Sequence, residues 1–217
     1  MSFEEKYKEY LIEWKKELLK HKSLISLSFL FLILAIITNF YAGSYADAKG
    51  NGSAAVSDII LDFIPAIDLT YIFVTGYILV LTIFFIYPFF FRIKNIHIII
   101  SQFSLLMMVR NFFLILTHLK VPTDAIDIFW PGIFSNLGFQ NDLFFSGHVA
   151  MTFLGYLIFR KEKIGIFFLI ATPVMALTVL FMHMHYSIDV FAAFFITYGT
   201  FKLGEWFFER INHYKNE

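Results

Sequence analysis

Two short polar stretches that contain His, residues 140–148 and 183–189, lie between apolar runs in the carboxyl-terminal half of the chain. Each lies at the edge of an apolar run, where ionisable groups are costly unless they face a cavity, a partner or the membrane surface. We therefore interpret the two stretches as parts of one site. Its candidate residues are His148, His185 and Asp189 for catalysis, and Asp142, Ser146, Gly147, His183 and Tyr186 for binding the substrate or its phosphate.

The spacing of these residues suits nucleophilic and acid–base chemistry. His185 and Asp189 are four residues apart, so on one helix they would share a face and could form a hydrogen bond. A carboxylate on one imidazole nitrogen sets the tautomer and makes the other nitrogen a better base or nucleophile. His148 follows Ser146, a residue type favoured as a helix N-cap. A helix beginning there would offer free N–H groups and the positive end of its dipole to a phosphate or another anion.

Arg110 is the strong cation predicted near the same level, and its planar guanidinium matches phosphate oxygens. With two His, one Asp and a helix N-terminus it predicts phosphoryl transfer without a metal or cofactor. One His would attack phosphorus and the other would protonate the leaving alcohol. In an alternative, His183 and His185 bind a metal with Asp189 or Asp142. No recognisable zinc motif is present, so we favour a role for His183 beside the catalytic network.

Composition places these residues in a membrane protein, because 59% of the chain is hydrophobic, including 30 Phe, well beyond the range of soluble domains. The fold class predicted is an all-α integral membrane bundle of six transmembrane helices. The segment 42–58, rich in Gly, Ser and Ala, is predicted to be a loop outside the membrane. Residues 59–67 are interpreted as a re-entrant or interfacial lead-in. The predicted spans are residues 24–41, 69–91, 96–119, 146–159, 164–184 and 188–208.

Residues 1–22 predict an amphipathic helix on the membrane surface, since aromatic and Leu residues recur at helical spacing between Glu and Lys. Residues 23–210 form the six-span domain, and residues 211–217 a polar tail. Placing the N-terminus in the cytoplasm puts 14 of the 17 Lys and Arg on that side. The positive-inside rule therefore predicts cytoplasmic termini, with Arg110 and both polar stretches at the outer face.

Four motifs resemble those of a known group of enzymes. Ser146-Gly147-His148 resembles the second signature of lipid phosphatases of the type-2 phosphatidic acid phosphatase superfamily. Residues 185–190 resemble the third signature, in the form used by sphingomyelin synthases. Residues 110–119 resemble the Arg-containing motif of those synthases, and residues 65–68 their Pro-Leu-Pro-Asp motif. The resemblance covers about residues 58–205, essentially the whole predicted membrane core.

This resemblance implies a six-span bundle with a catalytic triad of His148, His185 and Asp189. It implies that His185 forms a phosphohistidine, that Asp189 orients it, and that His148 protonates the leaving group and then deprotonates the acceptor. The chain lacks the Lys-containing first motif of the phosphatase branch, and lacks its Ser-Arg pair before the last His. These departures favour the synthase branch.

We therefore expect a membrane lipid phosphotransferase that moves a phospho-headgroup from a glycerophospholipid donor to a lipid alcohol, either ceramide or diacylglycerol. A lipid phosphatase or phospholipase C-like hydrolase is the alternative, because water can replace the alcohol at the same site. A proton-coupled transporter is a remote alternative, which predicts ionisable groups spread through the membrane depth. Nucleic acid is not suggested as a partner, and the oligomeric state is left open. The composition favours a bacterial protein, and hence the inner membrane.

Overall fold

The computed structural model describes residues 3–128 and 139–214, and within these ranges the regular structure is entirely helical. A short 3-10 turn at Ile93–Asn95 joins the third and fourth helices. The ends of the predicted interfacial helix and polar tail, residues 1–2 and 215–217, lie outside the described residues. The helices are α1 (Phe3–Lys20), α2 (Lys22–Gly50), α3 (Thr70–Phe91), α4 (Ile96–Leu116), α5 (Gly147–Phe159), α6 (Ile164–Phe181) and α7 (Ser187–Tyr214).

The helices support a multi-pass membrane protein. Within residues 3–128 and 139–214, four are long and apolar enough to cross a membrane: α2, α3, α4 with the turn before it, and α6. The apolar helix α5 is shorter. The predicted spans two to five agree with α3 to α6 to within a few residues, since uninterrupted apolar runs end at charged turns. α7 continues to Tyr214 and so includes residues 211–214 of the predicted polar tail.

The predicted loop at residues 42–58 is wrong for residues 42–50, which extend α2 to Gly50. Ala42 and Ala46 are buried and form a small apolar cluster with Leu114 of α4. A side chain at Gly43 would collide with the ring of Phe139. Small residues therefore let α2 pack closely against its neighbours, and this burial outweighs the low helix propensity of Gly and Ser.

Residues 59–67, interpreted from the sequence as a re-entrant or interfacial segment, form turns followed by irregular chain. The side chains of Ile59 and Phe63 are exposed. One carboxylate oxygen of Asp58 accepts hydrogen bonds from the amides of Ile60 and Leu61, at 2.9 and 3.3 Å. This Asx-type turn offers the backbone an alternative to a helix.

α1 is attached to the end of α3. The indole of Trp14 donates a hydrogen bond to the carbonyl of Phe89 at 2.7 Å. The hydroxyl of Tyr10 donates to the carbonyl of Phe90 at 2.6 Å. Both carbonyls belong to the last turn of α3, where backbone acceptors lack intrahelical partners. The aromatic face of the predicted amphipathic helix therefore satisfies these carbonyls.

The main apolar core joins α3, α5, α6 and α7 around rings such as Phe84, Phe159 and Phe168. A side chain at Gly155 of α5 would collide with the Phe168 ring of α6, so these two helices approach closely. α2, α4 and α6 end, and α3, α5 and α7 begin, at one end of the bundle, which we call the site end. The two polar stretches lie there.

Candidate active site

A cavity of about 390 Å³ lies at the site end of the bundle. His148, His185, Arg110 and Asp142 line one part of it, beside Gly147. The remaining lining is mainly apolar. Its volume is in the usual range for a small-ligand site. The apolar lining from α3, α4 and α5 comprises Ile78, Leu81, Phe103, Leu106, Met107, Ala150 and Met151.

His148 lies in the first turn of α5 between two aromatic rings of α3. The ring centroids of Phe73 and Tyr77 are each 4.5 Å from that of His148. Such contacts restrict the orientation of the imidazole. The His148 and His185 ring centroids are 6.0 Å apart. The structure therefore brings together two imidazoles separated by 37 positions in the chain, both facing the same cavity.

His185 and Asp189 are close together but do not form the hydrogen bond expected from helical spacing. The Nδ1 atom of His185 is 3.5 Å from Oδ2 of Asp189, and both residues are buried. The helix begins only at Ser187, so His185 precedes it. Oδ2 of Asp189 instead accepts a hydrogen bond from the backbone amide of Tyr186 at 3.0 Å. An ion-pair distance of this kind can shorten when a substrate binds.

The starts of α5 and α7 are joined directly. The amide of Ser146 donates a hydrogen bond to the carbonyl of Asp189 at 3.1 Å. Ser146 occupies the predicted N-cap position of α5, but its hydroxyl makes no capping hydrogen bond. That hydroxyl is buried without a hydrogen-bond partner among the described atoms. The position predicted for the cap is thus correct, whereas the expected capping hydrogen bond is not formed.

Arg110 ties α4 to the loop before α5. Its guanidinium forms a two-pronged ion pair with Asp142, with hydrogen bonds of 2.6 and 3.0 Å. Its Nε atom donates to the carbonyl of Phe145 at 2.9 Å. A Cβ on Gly147 would lie 2.8 Å from that Nε, so this position requires glycine. Arg110 and Asp142, predicted to bind phosphate, therefore border the cavity as a mutually bonded pair.

Asn141 connects the same loop to the extension of α2 that the sequence did not predict. Its amide donates to the carboxylate of Asp47 at 2.7 Å. Its side chain donates to Asn51 at 3.1 Å and accepts from the amide of Val121 at 3.0 Å. The outermost turns of α2 therefore hold the loop that carries Asp142.

His183 and Tyr186, also predicted as binding residues, do not line this cavity. Nε2 of His183 lies 3.2 Å from the carbonyl oxygen of Ile64. The hydroxyl of Tyr186 donates to the carbonyl of Lys120 at 2.7 Å and accepts from the amide of Val56 at 3.1 Å. Both side chains thus contact the loops at the site end, on a different side of the α6–α7 turn from the His185 ring.

Across residues 3–128 and 139–214, no group of three or more His, Asp or Glu is arranged to hold a metal ion. The ligand set considered from the sequence is divided between two surfaces. His183 faces Ile64, and Asp142 is paired with Arg110. The side chains of His183 and His185 are therefore not arranged to bind one metal ion together.

Comparison with known families matches the carboxyl-terminal part of the chain. Residues 141–206, which include His148, His185 and Asp189, match the family described as PAP2 superfamily C-terminal. The match supports the type-2 phosphatidic acid phosphatase superfamily and, at that level, a lipid phosphatase or phosphotransferase activity. It does not separate the branches of the superfamily. No curated protein matches the chain.

Proposed function

We propose that the chain is a sphingomyelin-synthase-like lipid phosphotransferase. It would move a phospho-headgroup from a glycerophospholipid to ceramide or diacylglycerol. The observation that carries the proposal is the cavity in which two imidazoles and a guanidinium meet an apolar lining. A phospholipid has the matching chemistry, because its phosphate suits the polar part and its hydrocarbon suits the rest. The synthase-like form of residues 185–190 supports transfer over hydrolysis.

The first step uses His185 as the nucleophile. Asp189, 3.5 Å from Nδ1, favours a proton on that nitrogen and leaves the lone pair on Nε2. Nε2 attacks phosphorus, a nitrogen–phosphorus bond forms, and the bond from phosphorus to the glycerol oxygen breaks. His148 gives its proton to that oxygen, so diacylglycerol leaves as a neutral alcohol.

The second step reverses these roles. His148, now neutral, takes the proton from the hydroxyl of the acceptor lipid. That oxygen attacks phosphorus, the nitrogen–phosphorus bond breaks, and His185 returns to its starting state. Water in place of the lipid alcohol would give hydrolysis by the same steps. The acceptor that reaches the phosphohistidine therefore determines whether the enzyme is a transferase or a hydrolase.

Two features would stabilise the negative charge of the phosphoryl group. α5 begins at Gly147 beside the cavity, and no side-chain cap from Ser146 occupies its N-terminus. The positive end of its dipole and its first amides therefore suit an anion. Arg110 borders the same space while holding the loop before α5. It would thus both position the start of α5 and attract the phosphate.

A lipid assay tests the proposed reaction. Purified protein in mixed micelles, without added metal, is incubated with a fluorescent ceramide and either phosphatidylcholine or phosphatidylethanolamine, and the lipids are separated. We expect a new ceramide carrying the phospho-headgroup, absent with the His185→Ala variant. Loss of donor that yields only diacylglycerol and free headgroup would make the protein a hydrolase. No reaction with either donor would favour the transporter alternative.

The proposed topology has six spans, with α5 and α7 completing the four long apolar helices. Both termini would be cytoplasmic, and the site end would face outwards from a bacterial inner membrane. The distribution of Lys and Arg supports this orientation. Exposed Lys49 then lies outside, whereas exposed Lys163, between α5 and α6, lies in the cytoplasm.

Single cysteine variants test the orientation cleanly, because the chain has no Cys. We expect a membrane-impermeant maleimide to label Lys49→Cys from the outside of sealed cells. Lys163→Cys is the matched control, and it should react only after the membrane is opened. The reverse pattern would show that the proposed topology is inverted.

A further inference from the structure

The turn between α6 and α7, which carries His185, is held by two loops that are distant in sequence. The amide of Ile67 donates to the carbonyl of Phe181 at 2.7 Å, and the amide of Ile126 donates to that of Met182 at 3.0 Å. The contacts of His183 and Tyr186 described above add further bonds to the same loops. The position of the turn is therefore set by residues outside it.

The N-terminus of α7 lacks a capping side chain of its own. Tyr186 precedes the helix, and its hydroxyl is bonded to Lys120 and Val56 instead. Asp189 accepts from the amide of Tyr186, which is the returning half of a capping box. The forward half would need Ser, Thr, Asp or Asn at position 186. Even such a cap would bond the second or third amide of the helix, so the first amide, that of Ser187, requires an acceptor from elsewhere.

Asp58 supplies that acceptor. Its Oδ2 atom accepts a hydrogen bond from the amide of Ser187 at 2.6 Å. Its Oδ1 atom is held within its own loop by the amides of Ile60 and Leu61. A carboxylate at a helix N-terminus is stabilised by the helix dipole, and its hydrogen bonds are charge-assisted. The carboxylate is therefore both fixed in place and suited to its partner.

The environment keeps this group ionised. Partial burial alone would raise the pKa of the Asp58 carboxyl, but the hydrogen bonds from Ser187, Ile60 and Leu61 favour the charged form and hold the pKa below its usual value. The charge that caps α7 is therefore present at neutral pH.

We propose that Asp58 is a positioning residue for the His185–Asp189 pair, acting through the amide of Ser187. Ser187 lies between the two residues in the chain, so its position governs their relative placement. The inference rests on the function proposed for that pair. Asp58 lines a separate depression with His183 and does not line the catalytic cavity. It should therefore affect the catalytic step and leave substrate binding unchanged.

Kinetics of three variants test this role in the lipid assay. We expect Asp58→Ala to lower kcat by on the order of 100-fold, the effect of a small misplacement of reacting groups, with KM nearly unchanged. Asp58→Asn retains an oxygen that can accept from Ser187, so it should recover most of the lost kcat. Asp62→Ala is the matched control, since Asp62 is an exposed carboxylate on the same loop. It should behave as the wild type.

A double-mutant cycle measures the coupling between Asp58 and Ser187. Proline is well tolerated at the first position of a helix, so Ser187→Pro respects the helix start while it removes both the N–H donor and the hydroxyl that also bonds to Asp58. The Asp58→Ala/Ser187→Pro double variant should lose no more kcat than the more impaired single variant. Independent losses that multiply would overturn the proposal, as would an Asp58→Ala variant that changes only KM or retains wild-type kcat.

Hydrogen exchange provides a readout that does not depend on activity. In Asp58→Ala, peptides covering residues 186–190 should exchange faster than in wild type, whereas Asp62→Ala should leave them unchanged. Unchanged exchange in Asp58→Ala would overturn the cap even if activity fell. Wild-type protein without lipid turnover, combined with faster exchange in Asp58→Ala, would refute the proposed function while the cap stands. If Asp58→Ala does not fold, hydrogen exchange in Asp58→Asn and Ser187→Pro decides. Residues 188–190 should exchange as in wild type in Asp58→Asn and faster in Ser187→Pro. Equal exchange rates in these two variants would overturn the proposal.

Discussion

Turnover should fall to background when His185 is replaced by Ala, because no other group then forms the covalent intermediate. Loss of a nucleophile costs on the order of 10⁶-fold in well-studied hydrolases. His148→Ala should lose on the order of 10³-fold, the usual contribution of a general acid and base. The measurement is the rate of lipid transfer per folded protein, with helical content and monodispersity confirmed for each variant.

His118→Ala is the matched control, because His118 is also at the site end but does not line the cavity. Its ring centroid lies 5.1 Å from that of Tyr45 on α2. A phospholipid donor labelled in its phospho-headgroup should transfer the label to wild-type protein, in an acid-labile, base-stable form. It should not label the His185→Ala variant. Retention of even about a tenth of the wild-type rate by both histidine variants would contradict the assignment, given the losses expected for such roles.

Most helices could be predicted because charged residues separate the apolar runs of the chain. Arg92 and Lys94 mark the turn between α3 and α4, and residues 160–163 mark the turn between α5 and α6. The outer turns of α2 could not be predicted in this way. Their small residues indicate a loop in isolation, and they are helical because they pack against Leu114 and Phe139.

Some residues of the site could likewise be predicted from the sequence, whereas others could not. The proximity of His148, His185 and Asp189 could be predicted because polar residues at the edges of apolar runs are conspicuous. The two rings that hold His148 could not, although Phe73 and Tyr77 have the spacing of neighbours on one helical face. α3 is apolar on every side, so its sequence does not indicate which face packs inward.

Asp58 was missed for a different reason. Its hydrogen-bond partner Ser187 is 129 positions away, and the sequence of a helix start normally shows its own cap. The sequence contains one indirect indication, because Tyr186 cannot cap the helix that follows it and a cap from elsewhere could be expected. The sequence indicates Arg110 and Asp142 as phosphate-binding candidates but does not indicate that they pair with each other. Their ion pair depends on how residues 139–147 fold against α4.

Asp189→Asn should reduce kcat on the order of 10³-fold, an effect typical of removing one charge-stabilising group from an active site. Asp189 Oδ2 accepts from the Tyr186 amide and also lies nearest to Nδ1 of His185. An asparagine at this position would keep its oxygen there, because its NH₂ group would meet the N–H of Tyr186. The proton should then stay on Nδ1, so the variant loses the carboxylate charge and keeps the tautomer.

Comparison with Asp189→Ala separates charge from geometry. Alanine also removes the acceptor for the Tyr186 amide, so it should add faster hydrogen exchange at the start of α7, whereas Asn should leave exchange near wild type.

The loss in Asp189→Asn arises because positive charge develops on His185 as nitrogen bonds to phosphorus, and a neutral amide stabilises that charge less than a carboxylate. A loss on the order of 10⁴-fold with the proton moved to Nε2, detected by nitrogen NMR of the imidazole, would instead mean that the amide had turned its NH₂ towards His185. A loss below about tenfold would contradict a catalytic role for the carboxylate, because removing one charge-stabilising group from an active site typically costs about 10²-fold or more in kcat.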